Sequence, residues 1–141
     1  MPGYSGTPLA KKLGIKEGFR VALLHVPDDV KAELRDAFGK CRVQRISGKG
    51  DEGFDFIFLF AKSRAGLAVD LIPAAKVLAP AGMLWISWPK KSSGVPTDIT
   101  EDAIRQSGLA AGLVDVKVCA VTEVWSGLKF VIPVKNRPKQ K

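Results

Sequence analysis

Two stretches of this chain are apolar almost without interruption, FDFIFLFA (54–61) and MLWISW (83–88). Runs this short and this apolar predict strands covered on both faces, as at the centre of a parallel sheet. FRVALLHV (19–26) predicts a further strand, and CRVQRI (41–46) a weaker one. Between them the apolar spacing becomes helical. Val30, Leu34 and Phe38 recur every four residues behind Pro27-Asp28-Asp29, where two acids suit the positive end of a helix dipole, and Gly39 ends the segment. Leu67, Leu71, Ala75 and Leu78 mark a helix that Pro73 is expected to kink or shorten. A short opening helix is expected after Thr7 as N-cap and Pro8 at its first position, stopping at Gly14. Asp98, with Glu101 reaching back, is expected to cap a helix that Gly112 ends.

The last segment changes character. VDVKVCAVT (114–122) alternates at its start, Trp125-Ser126-Gly127 turns the chain, and LKFVIPV (128–134) returns. Too few residues separate these strands for a parallel crossover, so they predict an antiparallel hairpin, with Pro133 at an edge or a strand end. SGKGDEG (47–53) reads as a glycine-rich turn. The order of elements predicts a three-layer α/β, Rossmann-like, doubly wound and mostly parallel sheet with a C-terminal antiparallel hairpin. One domain is expected over residues 1–134, with an N-terminal arm and short helix in 1–18, and a basic, solvated tail at 135–141.

The second half resembles class I S-adenosylmethionine-dependent methyltransferases. The phrase L-x-P-x-G-x-L between helix and strand is carried by Leu78, Pro80, Gly82 and Leu84. Over nearly its whole length the chain also resembles a family of small bacterial proteins of unknown function. The matching phrases are YSGTPLAKKLGI (4–15), WPKKSSG (88–94), TDITED (97–102), GLVDVKVCAV (112–121) and WSGLKFVI (125–132). The first resemblance implies a methyltransferase-like fold; the second implies no known activity.

One departure weighs against the cofactor. Methyltransferases of that class follow their first strand with a glycine-rich loop, whereas this chain has LLHVPDD (23–29), with no glycine between Gly18 and Gly39. Proline removes a backbone donor, and two aspartates oppose an anionic group. Nor does an acidic residue close the second strand to hold ribose hydroxyls; Ile46-Ser47-Gly48 stands there, with Asp51 and Glu52 later. No cofactor is therefore expected, and S-adenosylmethionine is disfavoured. A Walker-type phosphate loop is absent too.

Open α/β sheets bind ligands beyond the carboxyl ends of their parallel strands. The topology sends four segments there. They carry Lys62, Ser63 and Arg64; then Trp88, Lys90, Lys91, Ser92 and Ser93; then Trp125 and Ser126; and His25, the only histidine, with Asp28 after the first strand. Tyr4, in the opening arm, is a further candidate. Each has an ordinary structural role open to it, as core tryptophan, turn serine or solvated lysine. Together the cations predict a rim of positive potential that attracts an anion, with hydroxyls and loop N–H groups completing the site.

Composition narrows the classes. Apolar residues make up 46% of 141, enough for a core, and no apolar run approaches the ~20 residues of a membrane span. No secretory signal opens the chain, so a cytoplasmic location is expected. Cys41 and Cys119 make no disulfide framework, and one histidine with two distant cysteines offers no metal-ligand spacing. The net charge is +8, but Lys135, Arg137, Lys139 and Lys141 supply four of those charges, leaving about +4 on the body. Ser92 or Ser93, His25 and Asp28 could be assembled into a triad only on paper, without a G-x-S-x-G elbow. The reading adopted is a non-catalytic binding module whose basic rim takes an anionic small molecule or an acidic protein partner. Two alternatives are kept: a divergent methyltransferase, and a nucleic-acid-binding protein that uses the tail and rim. A homodimer through an exposed LKFVIPV edge is a further expectation.

Overall fold

A computed structural model describes residues 8–46 and 53–137. Its strands are β1 (Arg20–Leu24), β2 (Arg42–Val43), β3 (Phe54–Phe60), β4 (Leu78–Pro89), β5 (Val114–Ala120) and β6 (Trp125–Val131). Its helices are α1 (Leu9–Leu13), α2 (Asp28–Glu33), α3 (Arg35–Phe38), α4 (Arg64–Lys76) and α5 (Glu101–Ala110). The strands form one six-stranded sheet in the order β2-β1-β3-β4-β6-β5. The first four run parallel, and β6 lies antiparallel between β4 and β5. This is the mostly parallel α/β sheet with an antiparallel pair that the pattern of elements predicts.

The two sheet faces are covered by different helices. One face presents Ile57, Leu59, Leu84, Ile86, Leu128 and Phe130 to Leu67, Leu71 and Ala74 of α4 and to Ile104 of α5. The other presents Val21, Phe56, Phe58, Phe60 and Trp85 to Leu9 and Leu13 of α1 and to Val30, Leu34 and Phe38 of α2 and α3. Because alternate residues of a strand point to opposite faces, near-continuous apolar runs satisfy both layers at once. The indole Nε1 of Trp85, fully buried, donates to the Leu13 carbonyl at 2.9 Å and so fastens the end of α1 to the sheet. Gly14 closes α1 in the left-handed conformation, φ 84°.

Several boundaries differ from the sequence expectation. Leu78 belongs to β4 and not to the preceding helix, which buries Ala74 rather than Ala75. The register between β3 and β4 shifts near Phe54, where a Cβ on Gly82 would stand 2.6 Å from the Phe54 carbonyl oxygen. Helix α4 runs through Pro73, whose ring is exposed, so the missing hydrogen bond falls on the solvent side. Thr100 caps α5, its hydroxyl accepting from the Ala103 N–H, while the Asp98 carboxylate accepts from Arg64 N–H instead. The second strand shrinks to Arg42–Val43, both exposed. Residues 128–134 are not an edge: Leu128 and Phe130 are fully buried because β6 returns between β4 and β5, and the edges are β5 and β2. Pro133 falls just beyond β6, before a 3-10 turn at Val134–Asn136. Thr7, Tyr4, the turn over 47–52 and the tail lysines Lys139 and Lys141 lie outside the described residues. Among the described residues no helix is long and apolar enough to cross a membrane.

Candidate functional site

A cleft of about 490 Å³ opens at the carboxyl ends of β1 and β3. Phe60, Ala61 and Lys62 form one side, His25 and Pro27 of the β1–α2 loop another, Gly66 and Asp70 of α4 a third, and Trp125 the last. The volume is that of a small-molecule site, and the position is where doubly wound sheets bind ligands.

Local sequence explains each wall. The phenylalanines at every second position of β3 pack in series: Phe56 on Phe58 at 5.6 Å between centroids, Phe58 on Phe60 at 4.7 Å, then Phe60 edge-on to Trp125 at 4.8 Å. The aromatic row thus ends at the cleft, with Trp125 held by β6 opposite Pro89. The chain leaves β3 at Lys62, whose carbonyl accepts from the Thr97 hydroxyl at 2.6 Å. Ser63 then caps α4, its hydroxyl accepting from Gly66 N–H at 3.0 Å.

On the other side stands His25. Its φ is 60°, the left-handed region, and it is the one non-glycine residue there among the described residues. That backbone conformation is disfavoured for an L-residue, though less so for histidine than for branched side chains. The turn sends Pro27 into α2 and aims the imidazole at α4, where Nε2 lies 3.0 Å from Asp70 Oδ2. The His25 side chain is 67% exposed and that of Asp70 22%.

The remaining sequence candidates divide. His25, Lys62 and Trp125 line the cleft together. Ser63 is at its edge but is engaged as a cap. Arg64 is drawn away: its N–H and its Nε both bond Asp98, at 2.8 and 3.0 Å. Trp88 is 6% exposed and packs in the core beneath α4 and α5. Lys90 has its N–H on the Val124 carbonyl, and Lys91, Ser92 and Ser93 form a 3-10 turn. The Ser93 hydroxyl donates to the Lys90 carbonyl at 2.6 Å and accepts from Val95 N–H. Ser126 pairs with Trp88 across β4 and β6. Trp88, Lys90, Lys91, Ser92, Ser93 and Ser126 thus belong to the neighbouring loop and strands and do not line the cleft. Asp28 is exposed at the start of α2. The cysteines do not join: Cys41 donates to the Lys16 carbonyl, burial pushes both thiols up, and both are free. Among the described residues no group of three or more His, Cys, Asp or Glu could hold a metal ion.

Sequence reasoning missed Asp70, Gly66 and Phe60. Asp70 stands 45 residues from His25, and nothing local announces the pair. The alternation within FDFIFLF, with Phe60 in phase with Phe56 and Phe58, was the available signal for the aromatic wall.

The fold and the placement of the cleft define a class first: α/β proteins with a methyltransferase-like sheet. A solved S-adenosylmethionine-dependent methyltransferase from Aquifex aeolicus matches 88% of this chain over 88% of its own, at 16% identity and a TM-score of 0.63. A TehB-like methyltransferase from Corynebacterium glutamicum matches 92% of this chain over 90% of its own, at 10% identity and TM-score 0.54. Fibrillarin from Aeropyrum pernix, solved with natively bound S-adenosyl-L-methionine, matches 92% over 70%, at 14% identity and TM-score 0.56. These likenesses concern the fold. Residues 10–134 match the family described as protein of unknown function, DUF3052, and the chain belongs to that family. No curated protein sequence matches it.

The described loops after β1 and β2 differ from the glycine-rich loop and the acidic strand end that the methyltransferase resemblance implies. Where a glycine-rich loop would let backbone approach the cofactor, His25 places an imidazole, Val26 is buried, and Pro27 has no N–H to offer. After β2 the described residues are Gln44, Arg45 and Ile46, none an acid for ribose hydroxyls, and Gln44 Oε1 is taken by Arg20 Nε at 2.6 Å.

Proposed function

We propose that this protein is a ligand-binding module on a methyltransferase-like fold, which holds an anionic small molecule, or the acidic group of a protein partner, without transferring a methyl group. The observation that carries this reading is the composition of the cleft. Among the described residues, its floor and walls are Phe60, Trp125 and Pro27, Lys62 brings an ammonium that Asp70 balances only in part once the field of Lys90 and Lys91 is added, and the loop after β1 is built from side chains rather than glycine backbone. Lys62 is exposed at the mouth of the cleft, so its ammonium draws an acidic group as a solvated charge that salt screens. Lys90 and Lys91 extend the positive field along the neighbouring loop.

Calorimetry tests it. Benzoate and inorganic phosphate serve as anionic probes, S-adenosylmethionine as the competing ligand. Lys62→Glu is expected to weaken binding of the anionic probe at least tenfold, and the double change Lys90→Glu, Lys91→Glu by less. Tight binding of S-adenosylmethionine that S-adenosylhomocysteine displaces would overturn this reading in favour of a divergent methyltransferase, the alternative that the likeness of fold supports.

A further inference from the structure

We propose that His25 and Asp70 act as a proton-accepting pair, and that the ligand of the cleft is a weakly acidic hydroxyl compound of the phenol class, which enters neutral and is held ionised. This rests on the reading of the cleft as a ligand site and narrows the ligand's chemistry.

Three observations converge. The first is the pairing: Nε2 of His25 is 3.0 Å from Asp70 Oδ2. A carboxylate only accepts, so the pairing calls for a proton on Nε2, and in the neutral imidazole Nδ1 is then the acceptor. The second is charge. Of the ionisable side chains carried by the elements around the cleft, His25, Lys62 and Asp70 line it. The others stand apart: Asp28 and Asp29 are exposed at the start of α2, Glu123 is exposed between β5 and β6, and Arg64 is bonded to Asp98. Among the described lining residues, the ammonium of Lys62 stands against the carboxylate of Asp70. A ready-made carboxylate ligand would meet Asp70, whereas a neutral hydroxyl compound enters without that repulsion. The third is shape. Phe60 and Trp125, 2% and 8% exposed, pack edge to face at 4.8 Å and so form the floor of the cleft, and Pro27 adds a partly exposed apolar surface. Such a floor takes the apolar part of a ligand more readily than a second charge.

The proton balance closes within the site. The ligand's O–H bond breaks, its proton passes to Nδ1 of His25, and the electron pair stays on the ligand oxygen. The imidazolium is then neutralised by Asp70 and the oxyanion by Lys62. No oxidant, reductant or further reactant takes part. The unfavourable backbone of His25 gives this pair its meaning: strain at a strand end that aims a side chain over a cleft marks a built feature.

The test uses the full chain with 4-nitrophenol, whose phenolate absorbs in the visible, and 4-nitrobenzoate, of the same shape but already ionised. A pH titration of absorbance is expected to show the ionisation midpoint of bound 4-nitrophenol lowered by about one unit, a roughly tenfold preference for the phenolate. His25→Gln and Asp70→Asn should each return the midpoint towards that of free 4-nitrophenol; if one fails to fold, the other carries the comparison. An unshifted midpoint in the unaltered protein, or a shift that survives the substitutions, overturns the proposal. Binding of 4-nitrobenzoate without 4-nitrophenol removes this inference while leaving the anion-binding reading intact. Binding of neither removes both.

Discussion

Replacing His25 by glycine and by alanine should invert the usual order of stability of those two residues. At an ordinary strand or helix position glycine is the less stable by about 0.5–1 kcal/mol, because its unfolded chain has more freedom to lose. At φ 60° the balance changes. An L-residue there carries about 1–2 kcal/mol of strain that glycine does not. Subtracting the entropic penalty leaves His25→Gly more stable than His25→Ala by about 1 kcal/mol. Against the unaltered protein, both lose the bond to Asp70. That pair is largely exposed on the histidine side and contributes about 0.5 kcal/mol. His25→Gly should therefore lie near the parent in stability, and His25→Ala below it. For a chain of 141 residues, 1 kcal/mol moves Tm by roughly 3 °C. Thermal melts with urea titrations at one pH read the difference. Alanine equal to or above glycine would refute the left-handed strain at this position, and with it the view that the loop is built to hold a side chain there.

Other substitutions probe the frame that holds the cleft. A Cβ on Gly108 of α5 would stand 2.1 Å from the Phe130 ring, so Gly108→Ala should cost about 1–3 kcal/mol, measured as a lower urea midpoint. Ser87 is fully buried on β4 and its hydroxyl has no hydrogen-bond partner among the described residues; Ser87→Ala should stabilise by about 0.5–2 kcal/mol, seen as a raised Tm. Asp115 receives Arg105 Nε at 2.9 Å, and that bond holds its carboxyl below the usual carboxylate range. The folded pKa is depressed, so the stabilisation is present above the unfolded value near ~3.9 and lost as pH falls through the folded one. Melts from pH 6 to 2 should show this loss, and Arg105→Met should flatten that part of the curve.

What the sequence reveals and what it hides follows the range of the interaction involved. Strands β3 and β4 were legible because burial on both faces writes itself as consecutive apolar residues, and β6 with β5 because a short turn forces them together. Helix starts were less so: Asp98 and Thr100 are both good caps, and the choice fell to Thr100 because Arg64, 34 residues earlier, claims the Asp98 carboxylate. The burial of residues 128–134 was hidden for a similar reason. A hairpin pattern does not say which of its strands will lie against β4. At the site, the end of the sheet and three of its residues, His25, Lys62 and Trp125, could be placed from topology alone. Asp70 could not. Between buried Leu67 and Leu71 it looks like any acid on the solvent side of a helix, and only the crossing of α4 past the β1 loop gives it a partner.

The β1 loop gives the clearest account of how one fold can serve a different chemistry. In a doubly wound sheet the first crossover must turn sharply at the strand end, and a left-handed residue makes that turn. Glycine does so while leaving bare backbone at the switch point, which suits a cofactor bound through N–H groups. Histidine in the same conformation makes the turn at a cost in strain and leaves an imidazole there instead. Pro27 next removes a donor that a cofactor would use, and the apolar side chain of Val26 is buried, so the loop packs onto α2 rather than opening outward. At this strand end the loop therefore presents an imidazole and a prolyl ring where glycine would present backbone. Asp70 is then the necessary complement. Without a carboxylate on α4, the imidazole would be free to rotate, and the strain at φ 60° would fix only the backbone and not the direction of the ring.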